Sequence, residues 1–360
     1  MKILQVIAGL HKIGGTTTFV GGLANALAAQ GDEVTVATYR ERNPDDEYPL
    51  DDRVRVLPIP EIERSGTRFD VVHVHGLWDR DVFWASGYAL KNKIPLVWSP
   101  HGMLAPWALK HRWWKKLLPW HLYLKKRLQK ASAIHVTAEL EKAWVEGLGL
   151  GPVVVAPLGT GEREVEGRWL VAGGERKVED GEIEVLFVGR VHPVKGLMNL
   201  VRAAAKLKTK KTVRFRIVGA DDGGFLEELR RECAHYEITE MFDFAGPKFG
   251  SELSAEYDNC DVLILPSFTE NFGGVVVDAL AHGKPVIAST NTPWKELVEH
   301  HCGWWVDNSP INLAKAIDRM AETPREELLK MGENGRKLVA AKYTWDAVAV
   351  QMHKCYNTLV

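Results

Sequence analysis

Apolar runs of strand length, each closing on a glycine-rich turn that opens a helix-length segment, recur through both halves of the 360-residue chain. That grammar builds parallel sheets joined by crossover helices and excludes all-helical and meander folds. In the first half the apolar run 2–8, a turn from Gly9 to Gly15, a helical stretch 18–30 closed by Gly31 and a strand at 33–38 form the first copy. Strands are expected again at 69–75, 95–99, 131–137 and 153–156, with helices at 81–91 and 138–146. Between 160 and 180 the apolar periodicity stops and Gly, Glu, Arg and Lys take over, which reads as a solvated linker.

The pattern restarts at Glu182, with strands at 183–188, 214–218, 242–245, 261–265, 285–288 and 303–306 and helices at 196–207, 225–235 and 251–259. Ser309-Pro310 and Thr344-Trp345-Asp346 carry helix-opening chemistry, a side-chain cap followed in the first case by proline at the first helical position. Two doubly wound α/β domains are therefore expected, 1–160 and 182–343, with 161–181 between them and the last helix at 344–360. Ligands of open α/β sheets lie beyond the carboxyl ends of the strands, so the turns are where function is sought.

Composition narrows the partners. The formal net charge of -1 argues against a globally basic nucleic-acid binder, and Cys233, Cys260, Cys302 and Cys355 form no C-x-x-C pair. No apolar run approaches the roughly 20 residues of a membrane span. The N-terminal apolar run is too short for a secretion signal, so a cytoplasmic protein is expected, with no cofactor and no metal.

Two stretches concentrate chemistry. In Gly189-Arg190-Val191-His192-Pro193-Val194-Lys195-Gly196 two cations flank a strand-to-helix turn, where free N–H groups and the helix dipole favour an anion. Arg190 can fork onto phosphate and Lys195 can act as a point charge; two solvated surface cations are the plainer alternative. In the second, strand 261–265 runs into Glu270-Asn271-Phe272-Gly273-Gly274 and a helix carrying Asp278. Glu270 suits a hydroxylated group such as a sugar. Asp278 is either a partner for a ribose diol or an exposed helix residue.

Other candidates are weaker alone. The first turn, with Gly14 and Gly15, lacks G-x-G-x-x-G, and no acidic residue follows strand 33–38, which disfavours a nicotinamide site. His101, in Ser99-Pro100-His101-Gly102, sits at a strand end, where a satisfied core histidine is the alternative. His73 and His75 share a strand face, but a metal there needs a third ligand that the sequence does not identify. Residues 110–130 mix basic residues with Trp113, Trp114, Trp120 and Tyr123, a composition suited to an anionic membrane surface, to inward-packed tryptophans or to nucleic acid.

Taken together, Gly14-Gly15, Gly189-Arg190, Lys195-Gly196, Pro266-Ser267, Glu270-Asn271-Phe272-Gly273 and Tyr343-Thr344-Trp345-Asp346 resemble the retaining glycosyltransferases of family four, over nearly the whole chain. The resemblance implies a GT-B architecture: two facing Rossmann-like domains, an N-terminal one for the acceptor and a C-terminal one for the donor, with a cleft between them and a final helix crossing back to the first. It implies that Arg190 and Lys195 hold the diphosphate of a UDP-, GDP- or ADP-sugar and that Glu270 bonds the sugar. Asp278 takes the ribose position, where the family usually has glutamate. His101 matches a histidine against the donor sugar, and Gly15 matches the turn nearest phosphate and acceptor.

Gly189, Gly219, Pro247, Asn271, Phe272, Gly273 and Gly274 complete the expected donor set, with the base read by loops 220–224 and 246–249. Pro100-His101-Gly102-Met103-Leu104 and Pro106-Trp107-Ala108-Leu109 look like bacterial members that build cell-surface polysaccharides, which points to a glycan or lipid-linked acceptor at the inner membrane face. The alternatives weighed are a sugar-nucleotide epimerase of the same fold, a non-catalytic nucleotide-sugar or glycan-binding subunit, and a transferase acting on nucleic acid.

Overall fold

A computed structural model describes residues 1–10, 14–39, 48–110, 112–160, 164–165, 168–169 and 181–360. The chain divides into two compact units, one formed by 1–161 with 343–360 and the other by 162–342. In the first unit seven parallel strands are β1 (Lys2–Val6), β2 (Glu33–Thr38), β3 (Arg55–Pro58), β4 (Val71–His75), β5 (Leu96–Ser99), β6 (Ala133–Val136) and β7 (Val153–Val155). Their order is β3-β2-β1-β4-β5-β6-β7, all parallel.

Neighbouring residues on a strand feed opposite cores, as the two-residue period requires. Ile3 and Val71 pack into the layer with helix Gly15–Ala29, whereas Leu4, Val72 and Val74 pack with helix Arg80–Asn92. The terminal helix Trp345–Leu359 lies on Gly15–Ala29 in this unit. Thr344 accepts from the Ala347 N–H at 3.1 Å, and Thr160 and Thr344 form a parallel bridge. The Trp345 ring occupies the space a Cβ would need at Gly22, 2.1 Å from a ring carbon, so the contact requires glycine.

The linker region holds β8 (Glu164–Val165) and β9 (Arg168–Trp169), a short antiparallel pair. The rest of the expected linker, as far as residue 180, lies outside the described residues, as do His11, Lys12 and Ile13 of the first glycine turn. The second unit contains β10 (Glu182–Val188), β11 (Thr212–Val218), β12 (Phe242–Gly246), β13 (Val262–Leu265), β14 (Val286–Ser289) and β15 (Gly303–Val306). They are ordered β12-β11-β10-β13-β14-β15, again all parallel. Both sheets are thus Rossmann-like. The sequence reading missed β3 and the helix Ile59–Ser65, because four residues ending at Pro58 on a sheet edge carry little strand pattern.

Candidate active site

Parallel pairing fixes which turns meet. In the second unit β11, β10 and β13 are neighbours, so the turns after Val218, Val188 and Leu265 emerge side by side at one edge, with the turn after β12 next in line. Close backbone packing welds these turns together. A Cβ on Gly219 would stand 1.8 Å from the Gly189 carbonyl oxygen, and one on Gly196, whose φ is +72°, would stand 1.9 Å from that of Pro266. Phe268 N–H donates to the Val194 carbonyl at 2.9 Å, and Val191 N–H donates to that of Ala220 at 2.8 Å.

Lys195 and Glu270, given separate roles by their sequence positions, meet here. Lys195 Nζ lies 2.5 Å from Glu270 Oε1, with side chains only 18% and 12% exposed. The same carboxylate oxygen accepts from Ser267 Oγ at 2.8 Å. Arg190 is 61% exposed and pairs with Asp222 in the turn after β11. Sequence reasoning named neither Ser267 as a partner of Glu270, a contact closed by the local conformation of one loop, nor Asp222 as a partner of Arg190, a contact that depends on strand order.

The loop 266–273 is held from behind. Ser289 Oγ donates to the Ser267 carbonyl at 2.6 Å, Trp294 Nε1 to that of Phe272 at 2.6 Å, and Asn308 Nδ2 to that of Pro266 at 3.3 Å. Phe272 is consequently buried against Trp294. Gly273 caps helix Gly274–Ala281 at φ +84°, a left-handed conformation that suits glycine. Asp278 is half-buried in this helix. The Tyr257 hydroxyl is held well above its usual range by burial and then by the Asp278 charge, so Asp278 is not the fully exposed residue of the plainer sequence reading. Pro247 is exposed and Asn271 half-buried at the same edge.

The matching edge of the first unit gathers histidines. Gly15 opens helix Gly15–Ala29 in open space. His101, two residues beyond β5, is partly exposed and takes the left-handed φ of +48°. Glu141, fully buried, accepts from the Gly102 N–H at 2.6 Å and from the Thr137 N–H at 3.0 Å, and so pins this turn. His101 lies beside His75, with ring centroids 5.3 Å apart, and against the edge of Phe19 at 5.3 Å.

Behind it a hydrogen-bonded chain has one consistent proton assignment. The Ala156 carbonyl can only accept, so His135 donates through Nε2 at 2.8 Å and accepts at Nδ1 from Ser99 Oγ at 2.6 Å. Ser99 then accepts from His73 Nε2, and His73 accepts at Nδ1 from the Tyr356 hydroxyl, each at 2.6 Å. The assignment uses neutral rings throughout. Burial pulls His73 and His75 well below the ordinary value, takes His101 down to about 3 and His135 to about 4. His73 and His75 do gain histidine neighbours, but among the described residues no group of His, Cys, Asp and Glu could hold a metal ion.

The basic, aromatic stretch is helical in pieces, Pro106–Lys110, Trp113–Pro119, a π turn Trp120–Leu124 and Lys125–Leu128. Trp113 and Trp114 are 59% and 63% exposed, which overturns inward packing for these two, whereas Trp120 does pack against the core. No helix among the described residues is long and apolar enough to cross a membrane.

Two parallel Rossmann-like sheets, one with a paired lysine and glutamate at its carboxyl edge, define an α/β chain of the GT-B class. Residues 13–160 match the family Glycosyltransferase Family 4, and residues 174–338 match Glycosyl transferases group 1. The chain belongs to the glycosyltransferases, with one of these family domains in each half. A relative from Methanocaldococcus jannaschii, the uncharacterized glycosyltransferase MJ1607, is 33% identical over 50% of this chain and 46% of its own. A D-inositol 3-phosphate glycosyltransferase of Stackebrandtia nassauensis is 29% identical over 62% of this chain and 50% of its own. The chain thus spans about half the length of these curated relatives.

Solved structures share the fold over their full length. Sucrose-phosphate synthase from Thermosynechococcus elongatus has a TM-score of 0.77 at 24% identity, covering 100% of this chain and 99% of that one. Anabaena HepE in complex with UDP-glucose has a TM-score of 0.74 at 17% identity, covering 100% of both.

Proposed function

We propose that this chain is a retaining glycosyltransferase that moves a hexose-type sugar from a nucleoside diphosphate sugar to a hydroxyl of a glycan or lipid-linked acceptor, in cell-surface polysaccharide synthesis. The observation that carries the reading is the Lys195–Glu270 pair at the strand edge of the second unit. A cation suited to a departing diphosphate stands beside a carboxylate suited to sugar hydroxyls, with Arg190 at the start of the turn that carries Lys195. Each of the pair satisfies the other until a donor arrives, when Lys195 turns to phosphate oxygens and Glu270 to hydroxyls. Asp278 takes the ribose diol. HepE, solved with UDP-glucose, supports a uridine donor as the first candidate.

In the reaction the acceptor oxygen bonds to the anomeric carbon on the face from which the nucleotide leaves. The carbon–oxygen bond to the diphosphate breaks, and the acceptor's proton passes to the leaving phosphate. Arg190 and Lys195 neutralise the charge that develops there, a preorganised electrostatic contribution that needs no protein nucleophile and no metal.

A pocket of about 850 Å³ in the first unit, walled by Tyr39, Trp78, Trp84, Tyr88 and Tyr123, supports a glycan acceptor, since aromatic faces offer rigid apolar platforms to sugar rings. The exposed Trp113, Trp114, Leu117, Leu118 and Leu122, interleaved with lysines, support a peripheral place on an anionic membrane at its cytoplasmic face.

The test is a thermal-shift panel of UDP-, GDP- and ADP-sugars, followed by transfer assays on lipid-linked and free glycans. One nucleotide sugar should raise the midpoint, because a ligand of the folded state alone stabilises it. Sugar isomerised with no acceptor present would replace transfer by epimerisation, and binding without turnover on any acceptor would leave a binding subunit.

A further inference from the structure

We infer that His75 fixes His101 in the tautomer protonated on Nδ1, so that a sugar hydroxyl meets His101 as a hydrogen-bond donor. The substrate half of this rests on the reading of His101 as a sugar contact; the tautomer half rests on geometry alone. His75 Nδ1 and His101 Nε2 are 3.0 Å apart, so a single proton lies between them and one ring must supply it. The other nitrogen of His75, Nε2, is fully buried and has no hydrogen-bond partner among the described residues.

That orphan decides which ring donates. If His101 donated, the neutral His75 would carry its proton on Nε2, leaving a buried N–H with nothing to receive it. If His75 donates, its Nε2 is a bare lone pair. Proteins tolerate buried unpaired acceptors better than buried unpaired donors. His75 therefore donates through Nδ1, His101 accepts at Nε2, and the remaining proton of His101 sits on Nδ1.

The surroundings hold this arrangement in place. The two rings are stacked within 23° of parallel, and the Phe19 edge closes one side of His101. The left-handed backbone of His101 persists because Glu141 grips the following N–H. Burial of His75 and His101 favours their uncharged forms, so the tautomer is the property that matters. A residue two positions along the strand, His73, is bonded at both nitrogens and plays no part in the exchange. His75 is a positioning residue: it acts through His101.

The experiment uses the full chain labelled with nitrogen-15 in histidine. Two-bond proton–nitrogen NMR correlations report which ring nitrogen carries the proton, with His101 assigned by its absence in His101→Gln. The expected result is Nδ1–H on both His75 and His101; Nε2–H on His101 overturns the proposal. His75→Asn places an amide donor near the lost Nδ1 and should keep the His101 signal and turnover within about threefold. His75→Asp offers only acceptor oxygens, should switch His101 to Nε2–H and should lower kcat about tenfold beyond His75→Asn. A purely structural role would move the melting points of both variants without moving the tautomer. Should His101 carry Nδ1–H while His101→Gln turns over normally, the substrate half falls and the tautomer stands. Loss of turnover in His101→Gln with Nε2–H in the wild type would sink the tautomer and leave the transferase reading intact.

Discussion

The two units use the same construction and present opposite chemistry at their strand edges. The second sheet ends in charge held in reserve: Lys195 against Glu270 and Arg190 against Asp222. The first ends in four histidines that burial keeps neutral, three of their rings within 6 Å of Phe19. On the proposed function, the difference is a division of labour that neither fold nor net charge would disclose. An edge that must neutralise a diphosphate can store its cation only beside a removable anion. An edge that orients uncharged hydroxyls does better with fixed neutral donors and acceptors, which cost no charge desolvation.

The largest effect should come from breaking the charged edge. Lys195→Ala is expected to lower kcat by roughly 10²–10³-fold, the usual result of removing one group that stabilises transition-state charge. Glu270→Gln should cost a similar factor through lost sugar contacts while leaving Lys195 able to bind free nucleoside diphosphate. Steady-state kinetics with calorimetric titration of the diphosphate separates the two. Near-normal turnover of Lys195→Ala would mean that the pair is only structural.

Next in size is Gly196→Ala. The left-handed φ of +72° and the approach to the Pro266 carbonyl leave no room for a methyl group, so the turns carrying Lys195 and Glu270 must separate. A loss of roughly 2–3 kcal/mol in unfolding free energy is expected, together with a fall in kcat. Chemical denaturation and kinetics on the same variant check both; a fall in stability with unchanged kcat would show that the relative placement of the two turns is uncritical.

This position also shows where sequence reading stops. Gly196, Lys195 and Glu270 were each visible as residues at strand-ending turns, because glycine recurs at such turns and a charge beside it stands out from the apolar strand. Their contact was not, because it depends on β10 and β13 being neighbours although strands β11 and β12 lie between them in the chain. The histidine network failed to show for the same reason. His73, Ser99 and His135 sit on three successive strands of the sheet, and Tyr356 arrives from the last helix. Only strand order reveals that the third and fourth rings beside His73 and His75 exist, and only their bonds reveal that they serve each other rather than a metal.

Acid should weaken the neutral edge first. His73, His75, His101 and His135 have folded values depressed from 6.5, His101 to about 3 and His135 to about 4. Between pH 6.5 and those values the unfolded chain binds protons that the folded chain refuses, so stability present above pH 6.5 is lost as pH falls. The loss is on the order of 1 kcal/mol per pH unit for each such group. Hydrogen exchange followed by mass spectrometry at pH 6.5 and 5.5, corrected for the intrinsic rate, should show β4 to β6 opening more readily while β10 to β13 change less. Equal loosening of both sheets would erase the contrast.

The smallest effect on stability, and the one that separates surface from site, belongs to Trp113 and Trp114. Both are more than half exposed, so replacing the pair with serine should change the unfolding free energy by no more than about 0.5 kcal/mol. Binding to vesicles containing anionic lipid should fall severalfold in the same variant, because the lost rings are the ones able to enter the interface while Lys115 and Lys126 supply only salt-sensitive attraction. Transfer to a soluble acceptor should be untouched, since neither tryptophan lies on the pocket walled by Trp78 and Trp84. If vesicle binding survives the double replacement, the exposed ridge is no membrane anchor; if soluble transfer falls with it, the ridge belongs to the acceptor site.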